Sequence, residues 1–340
     1  MNGAILTRAL RDPQSTGTLD SKGWTALLAI ARAEQLIGTL AHRLDGLPMP
    51  EAARRVLSDA RASHEQGRIV ALWEAEMARR ALAPTGIPVV LLKGTAFAAA
   101  GLSPSPGRQI GDLDILVPRD RIEEAEAAIL AAGWEWVKPD PYDDAYYRQW
   151  MHELPPLIHR ERDRMIDVHH TILPLTAKIR PDAEGMLADS VALGAGNAPG
   201  DLRILNPNDM LCHAAAHLFA DGDLAGGLRN LWDIHCLIEE FGTSGLEARA
   251  AHHGLSSAVA RAGRQANHHY GTEIPESWRV WDSLDPLYAR RLLARDGWGR
   301  QTRKLTRLGF YVRSHAIRMP PAMLARHLWT KYRKGYRPVG

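Results

Sequence analysis

The sequence predicts an α+β fold in which a small α/β core at residues 85–172 lies between helical regions. Three observations carry this. Apolar residues recur at three- and four-residue spacing through much of the first 84 residues, short apolar runs punctuated by Gly and Pro follow, and helical spacing returns beyond about residue 173. With 340 residues, 45% hydrophobic and 24% charged, the chain is able to bury a sizeable core, as two domains or as one with large helical additions. That composition excludes a disordered or fibrous chain.

Taken in order, Trp24, Leu27, Leu28 and Ala31 start a helical pattern that runs from Gly23 to about Ala83, divided by "LPMP". Pro84, Gly86 and Pro88 then break it, and Val89 to Leu92 form an apolar run typical of a buried strand. Gly94 and Thr95 open another helix. "RQIGDLDILVP" reads as a strand, after which Asp120 is expected to cap a helix with Glu123 three residues on, and Gly133 to close it. "WEWV" is a further strand, and "PPLIHR" and "RMIDVHH" form a hairpin in which Met165, Asp167 and His169 share a face. "NPNDMLCHAAAHLFA" and "LRNLWDIHCLIEEFG" are helices. The expected division is a helical region 1–84, the core 85–172, a helical domain 173–289 and a basic segment 290–340.

The net charge of +3 hides an asymmetry. Residues 290–340 carry 14 Lys or Arg against the single acid Asp296, a balance of +13, and residues 1–289 carry 28 bases and 38 acids, a balance of −10. The basic segment suits docking on the acidic body of its own chain better than a polyanion, because no Gly- or Ser-rich linker separates it. No apolar run is long enough to span a bilayer and no export signal is visible, so a cytoplasmic protein is expected. Cys212 and Cys236 lack zinc-type spacing and read as reduced core residues.

The chemistry begins with Asp112 and Asp114. A strand alternates faces, so the two carboxylates project together, with Cα atoms roughly 6–7 Å apart, while Leu113, Ile115 and Val117 face the other way. Their repulsion and desolvation are costly unless a cation sits between them, and a divalent ion answers this. Upstream, Lys93, Gly94 and Thr95 join a buried strand to a helix start, where free N–H groups suit an anion. Asp167 supplies a third carboxylate on a later strand. A phosphate cradle with three carboxylates is what phosphoryl or nucleotidyl transfer by a two-metal route requires.

The stretches "VVLLKGTAFAAAG", "RQIGDLDILV" and "MIDVHH" resemble the nucleotidyltransferase superfamily related to DNA polymerase beta, and in particular a little-characterised bacterial branch with further motifs matched by "NPNDMLCHAAAH" and "LRNLWDIH". The resemblance covers roughly residues 20–240. It implies a mixed-sheet nucleotidyltransferase core, with Gly94 and Thr95 in the phosphate-binding turn, Asp112 and Asp114 binding two Mg²⁺ (or Mn²⁺) ions, and Asp167 completing the catalytic triad. Thr95 stands where Ser or Gly is usual, and 17 residues separate Gly94 from Asp112. The expected activity moves an NMP group from an NTP to an acceptor, a small molecule or peptide in preference to RNA, with pyrophosphate leaving. Lys93, Arg108 and His169 are the further candidates for nucleotide contact.

Simpler readings stand beside these. Asp167 could pair with Arg164, and Lys93 and Arg108 could be solvated bases near strand ends. His213 and His217, one turn apart with Asp209 extending the row, read as structural or substrate-facing rather than as metal ligands, since Asn206 and Pro207 explain Asp209 as part of a helix start. Arg229 and Asp233 read as a four-apart ion pair. The alternatives for function are a non-catalytic nucleotide- or protein-binding module on the same fold and an Asp-x-Asp metal-dependent glycosyltransferase, which would need several alternating strands and helices before the motif.

Overall fold

In the computed structural model, residues 2–194 and 200–318 are described, with Leu324, Ala325, Trp329 and Arg333 beyond them. The N-terminal helices are α1 (Ala4–Arg11), α2 (Ser21–Ala33), α3 (Ile37–Arg43) and the 32-residue α4 (Glu51–Leu82). Asp20 caps α2 by accepting a hydrogen bond from the Gly23 amide at 2.7 Å. The α1 helix precedes the helical pattern that starts at Gly23. It forms because Leu6, Ala9 and Leu10 make one apolar face, buried against the long C-terminal helix Ser256–Tyr270.

Seven strands make one mixed sheet in the order β3-β4-β5-β2-β1-β7-β6. They are β1 (Val89–Leu91), β2 (Leu113–Leu116), β3 (Trp134–Trp136), β4 (Leu157–His159), β5 (Met165–His169), β6 (Val191–Ala192) and β7 (Leu202–Ile204). The expected α+β class holds, and the hairpin β4–β5 is antiparallel as read. β6 and β7 come from beyond residue 172, where the spacing reads mainly as helical. β7 pairs in parallel with β1, but three residues are too few to show a period. Only β1 precedes the Asp-x-Asp strand among the described residues, which does not suit the glycosyltransferase alternative.

Central strands are covered on both faces. Val89, Val90, Leu91, Ile115 and Leu116 are fully buried, so β1 and β2 read as continuous apolar runs broken by Asp114 alone. α5 (Lys93–Ala99) follows β1, α6 (Ile122–Ala131) follows β2 and α7 (Pro141–Trp150) follows β3. Asp120 does not cap α6: it lies in a turn of 3₁₀ helix, Arg119–Arg121, and α6 begins after Arg121 without a side-chain cap. α7 was missed. Its start carries a recognisable signal, Asp140 accepting from the amides of Tyr142 and Asp143 with Pro141 at the first helical position.

The C-terminal half continues with α8 (Ala183–Ala188), α9 (Pro207–Ala215), a π-helical turn at Ala216–Asp221, α10 (Gly227–Phe241), α11 (Leu246–His252), α12 (Ser256–Tyr270), α13 (Asp285–Leu292) and α14 (Lys304–Arg318). Asn206 caps α9 as expected, accepting from the Asp209 amide. Both cysteines are free and buried, and burial pushes the Cys212 thiol up to about 12. In the basic segment, Arg295 pairs with Glu34 at 2.6 Å and Arg318 with Asp221 at 2.7 Å, while Phe310 packs edge-on against Tyr288. Tyr332 and Tyr336, two of its aromatic residues, lie outside the described residues. None of the described helices is long and apolar enough to cross a membrane.

Candidate active site

Antiparallel pairing of β1 and β2 brings the end of one strand to the start of the other, and the Leu92 amide donates to the Asp114 carbonyl at 3.0 Å. Lys93 follows at φ +48°, a left-handed conformation uncommon for a residue with a side chain. Its ammonium reaches Asp114 Oδ1 at 2.5 Å. On the other side of β2, β5 runs parallel in a register that sets Asp114 directly beside Asp167. Asp112 precedes the first paired residue of β2 and is exposed. One carboxylate oxygen from each of Asp112, Asp114 and Asp167 lies within 4.8 Å of the others.

Two of these acids sit in opposite electrostatic situations. Burial alone would raise Asp114, but the charge of Lys93 and hydrogen bonds from His169 and Lys93 outweigh it and hold the carboxyl well below its usual range. Asp167 is raised to about 7 by burial and by the charges of Glu153 and Asp114, with His169 only partly offsetting them. The Arg164 pairing does not form: Arg164 lies just before β5 and is not among the groups that act on the Asp167 carboxyl. A three-carboxylate cluster whose lysine partner is bound to Asp114 fits hard divalent cations, which take carboxylate oxygens.

Beside these acids opens a polar cavity of about 510 Å³, lined by Asp112 and Asp114 and by Lys93, Gly94, Arg108, Arg229 and Arg295. Arg108 is not solvated. Its Nε and Nη2 donate to Asp233 Oδ2 at 3.1 and 2.9 Å, and its guanidinium lies 5.2 Å from the Phe97 ring centre. Gly94 leaves room for it, because a Cβ there would stand 1.7 Å from Arg108 Nη1. Gly94→Ala is therefore expected to displace Arg108 from Asp233 and cost about 3 kcal/mol, the scale of breaking a buried ion pair. A thermal melt checks this; an unchanged midpoint would mean that Arg108 is not held there.

Arg229 is weaker as a partner of Asp233 than its spacing suggests. Asp233 is occupied by Arg108, and Arg229 Nη1 stays 3.6 Å away. Neither Nε nor Nη1 of Arg229, both buried, has a hydrogen-bond partner among the described residues, and burial together with Arg108 lowers the guanidinium to about 10. Arg295 reaches the cavity from the basic segment. Thr95, Asp167 and His169 do not line it, and Asp167 meets it only through Asp112 and Asp114. Thr95 is buried within α5 with its hydroxyl unpartnered among the described residues, and His169 Nε2 lies 3.0 Å from Asp114 Oδ1, supporting that carboxylate from behind.

Sequence reasoning did not find His152 and Glu153. They follow α7 in a short extended segment that pairs with β5, with the Leu154 amide donating to the Val168 carbonyl at 2.9 Å and Glu153 bridging His169. No period announces a single bridge. His213 and His217 line the apolar floor between β1, α9 and α10, where burial lowers His213 well below its ordinary value and His217 to about 3. Asp209 turns away from them to Arg249 and His253, so the row of three does not converge.

The family of uncharacterised nucleotidyltransferases matches residues 20–271, and the chain belongs to it. No curated protein matches the sequence. Among solved structures, the crystal structure of ANT(2″)-Ia in complex with adenylyl-2″-tobramycin is 13% identical, with 54% of this chain and 97% of that chain covered and a TM-score of 0.37. The solution structure of the antibiotic-resistance factor ANT(2″)-Ia is 14% identical, covering 59% and 97% at the same TM-score. Likenesses so slight support nothing further.

Proposed function

We propose that the protein transfers an NMP group from an NTP to an acceptor hydroxyl, amine or phosphate and releases pyrophosphate. The observation that carries this is the meeting of the Asp112–Asp114–Asp167 cluster with a cavity lined by two of these acids together with Lys93, Arg108, Arg229 and Arg295. Acids and cations lining one cavity divide the labour of phosphoryl chemistry. The three aspartates would hold Mg²⁺ or Mn²⁺, which supply charge neutralisation on the phosphates and an acidified acceptor.

The chain's own residues do the rest. Lys93 balances Asp114 between turnovers, and the arginines hold the triphosphate so that its α-phosphorus faces the acids. The acceptor atom bonds to that phosphorus as the bond to the bridging oxygen of pyrophosphate breaks, and Asp167 stands beside it to receive the acceptor's proton. In this reading residues 85–172 form the catalytic wall and 173–289 the facing one, with Arg295 entering from the basic segment. A small molecule or peptide is the favoured acceptor because Arg295 and Arg318 of that segment are engaged by acids of the same chain.

Calorimetry of each NTP in Mg²⁺ and in chelator tests the reading, with binding expected only when the metal is present, since bare carboxylates repel a triphosphate. Equal binding in both would remove the metal argument. Incubation with labelled NTPs and cell extract, separated into small-molecule, protein and RNA fractions, then finds the acceptor, and absence of label from every fraction would favour a non-catalytic module.

A further inference from the structure

We propose that His152, Glu153 and His169 form a second metal site, selective for a zinc-like transition ion and joined to the aspartate cluster through the His169–Asp114 hydrogen bond. One ligand atom from each of the three residues lies within 4.8 Å of the others. The individual separations are informative. His169 Nδ1 is 3.4 Å and His152 Nε2 is 3.6 Å from the same oxygen, Glu153 Oε2. Both contacts are too long or too poorly aligned to count as hydrogen bonds, yet they match the edge of a tetrahedron about 3.4 Å long that ligands about 2.1 Å from Zn²⁺ would span.

The surroundings are those of a metal-binding histidine. Nε2 of His169 lies 3.0 Å from Asp114 Oδ1, so the ring carries a carboxylate on the nitrogen opposite the one facing Glu153. Such a partner fixes the tautomer and raises the basicity of the ligating nitrogen. The ring of His152 lies along that of His169 with centres 5.2 Å apart, and Nε2 is its nitrogen that approaches Glu153. The backbone holds all three in place: His169 is on β5, Glu153 bridges it, and the His170 amide donates to the His152 carbonyl at 2.9 Å. Two imidazoles and one carboxylate suit zinc, cobalt or iron over magnesium, and three protein ligands leave a coordination position for solvent or an acceptor group.

Co²⁺ titration of the chelator-stripped full-length chain, without nucleotide, tests the site through visible absorption and equilibrium dialysis. One Co²⁺ is expected to bind in the wild type and in the Asp112→Asn, Asp167→Asn double variant, to resist a large excess of Mg²⁺, and to bind at least 100-fold more weakly in His152→Ala and Glu153→Gln. Loss of the ion in the aspartate double variant with retention in the other two would overturn the site, as would displacement by Mg²⁺ or no binding in the wild type. Should His152→Ala fail to fold by circular dichroism, the near-isosteric Glu153→Gln decides. The outcome is independent of NMP transfer, which is read by a different assay.

Discussion

Asp114→Asn and Asp167→Asn are expected to abolish NMP transfer alike and to move stability in opposite directions. Each removes an acid from the cluster, and loss of several kcal/mol of charge stabilisation corresponds to a fall of about 10³-fold or more in rate. The melts differ because the two carboxyls are displaced in opposite directions from their ordinary values. Asp167, raised to about 7 from an ordinary 3.8, keeps its proton in the folded chain over a range where the unfolded chain has lost it. Its contribution is therefore favourable at low pH and is lost as pH rises from about 4 through 7. At pH 8 the loss amounts to about 4 kcal/mol, taking about 1.4 kcal/mol for each tenfold difference in proton affinity between the folded and unfolded chains. Asn is neutral at every pH, so Asp167→Asn should melt several degrees higher than wild type in metal-free buffer at pH 8 and about the same at pH 4.

Asp114 behaves the other way. Its depressed carboxyl stabilises the fold above its ordinary value of 3.8, and that stabilisation disappears only as pH falls through the lower folded value. Asn would leave the Lys93 ammonium and His169 facing a neutral amide, and Asp114→Asn should lose about 3 kcal/mol at pH 8. Mere repulsion between two strand acids would predict that both replacements stabilise. Melts of both variants at pH 4 and 8 decide: a lower midpoint for Asp167→Asn at pH 8 would mark it as a structural partner.

The difference between these two acids shows what a sequence does and does not reveal. Asp112, Asp114 and Asp167 were legible because a charged residue inside an apolar run is a local conflict that only a shared cation or partner resolves. The hairpin carrying Asp167 was legible from its charged turn. Partners supplied by distant segments were not. That Lys93 binds Asp114 depends on a left-handed φ at position 93, and that Arg108 shares Asp233 with Arg229 depends on α10 meeting the loop that follows α5. Glu153 stayed hidden for the same reason, since its approach to His169 is a single bridge between segments 16 residues apart in number. Helix spacing put Arg229 and Asp233 one turn apart, and their ion pair forms at 3.6 Å, but nothing in that spacing announces that Arg108 holds the same carboxylate.

That shared carboxylate leads to the last expectation, which concerns triphosphate recognition. Arg229 is buried, has two N–H groups without partners among the described residues, and is repelled by Arg108. Asp233 at 3.6 Å and the Gln109 carbonyl, which accepts from Nη2 at 3.4 Å, offset the desolvation of its charge only in part. A ligand with several anionic oxygens would supply what is missing, through charge-assisted hydrogen bonds worth about 1.5–3 kcal/mol. Arg229→Met is accordingly expected to leave the melting midpoint unchanged or raise it, while weakening Mg²⁺–NTP binding about 10- to 150-fold. Arg229→Lys, which keeps the charge and loses the planar fork, should recover part of the affinity. Binding of the unphosphorylated nucleoside should be unaffected by either change. Calorimetry with NTP and nucleoside, run beside thermal melts of both variants, separates this role from a structural one: a lower midpoint with unaltered NTP affinity would leave Arg229 only its structural pairing with Asp233.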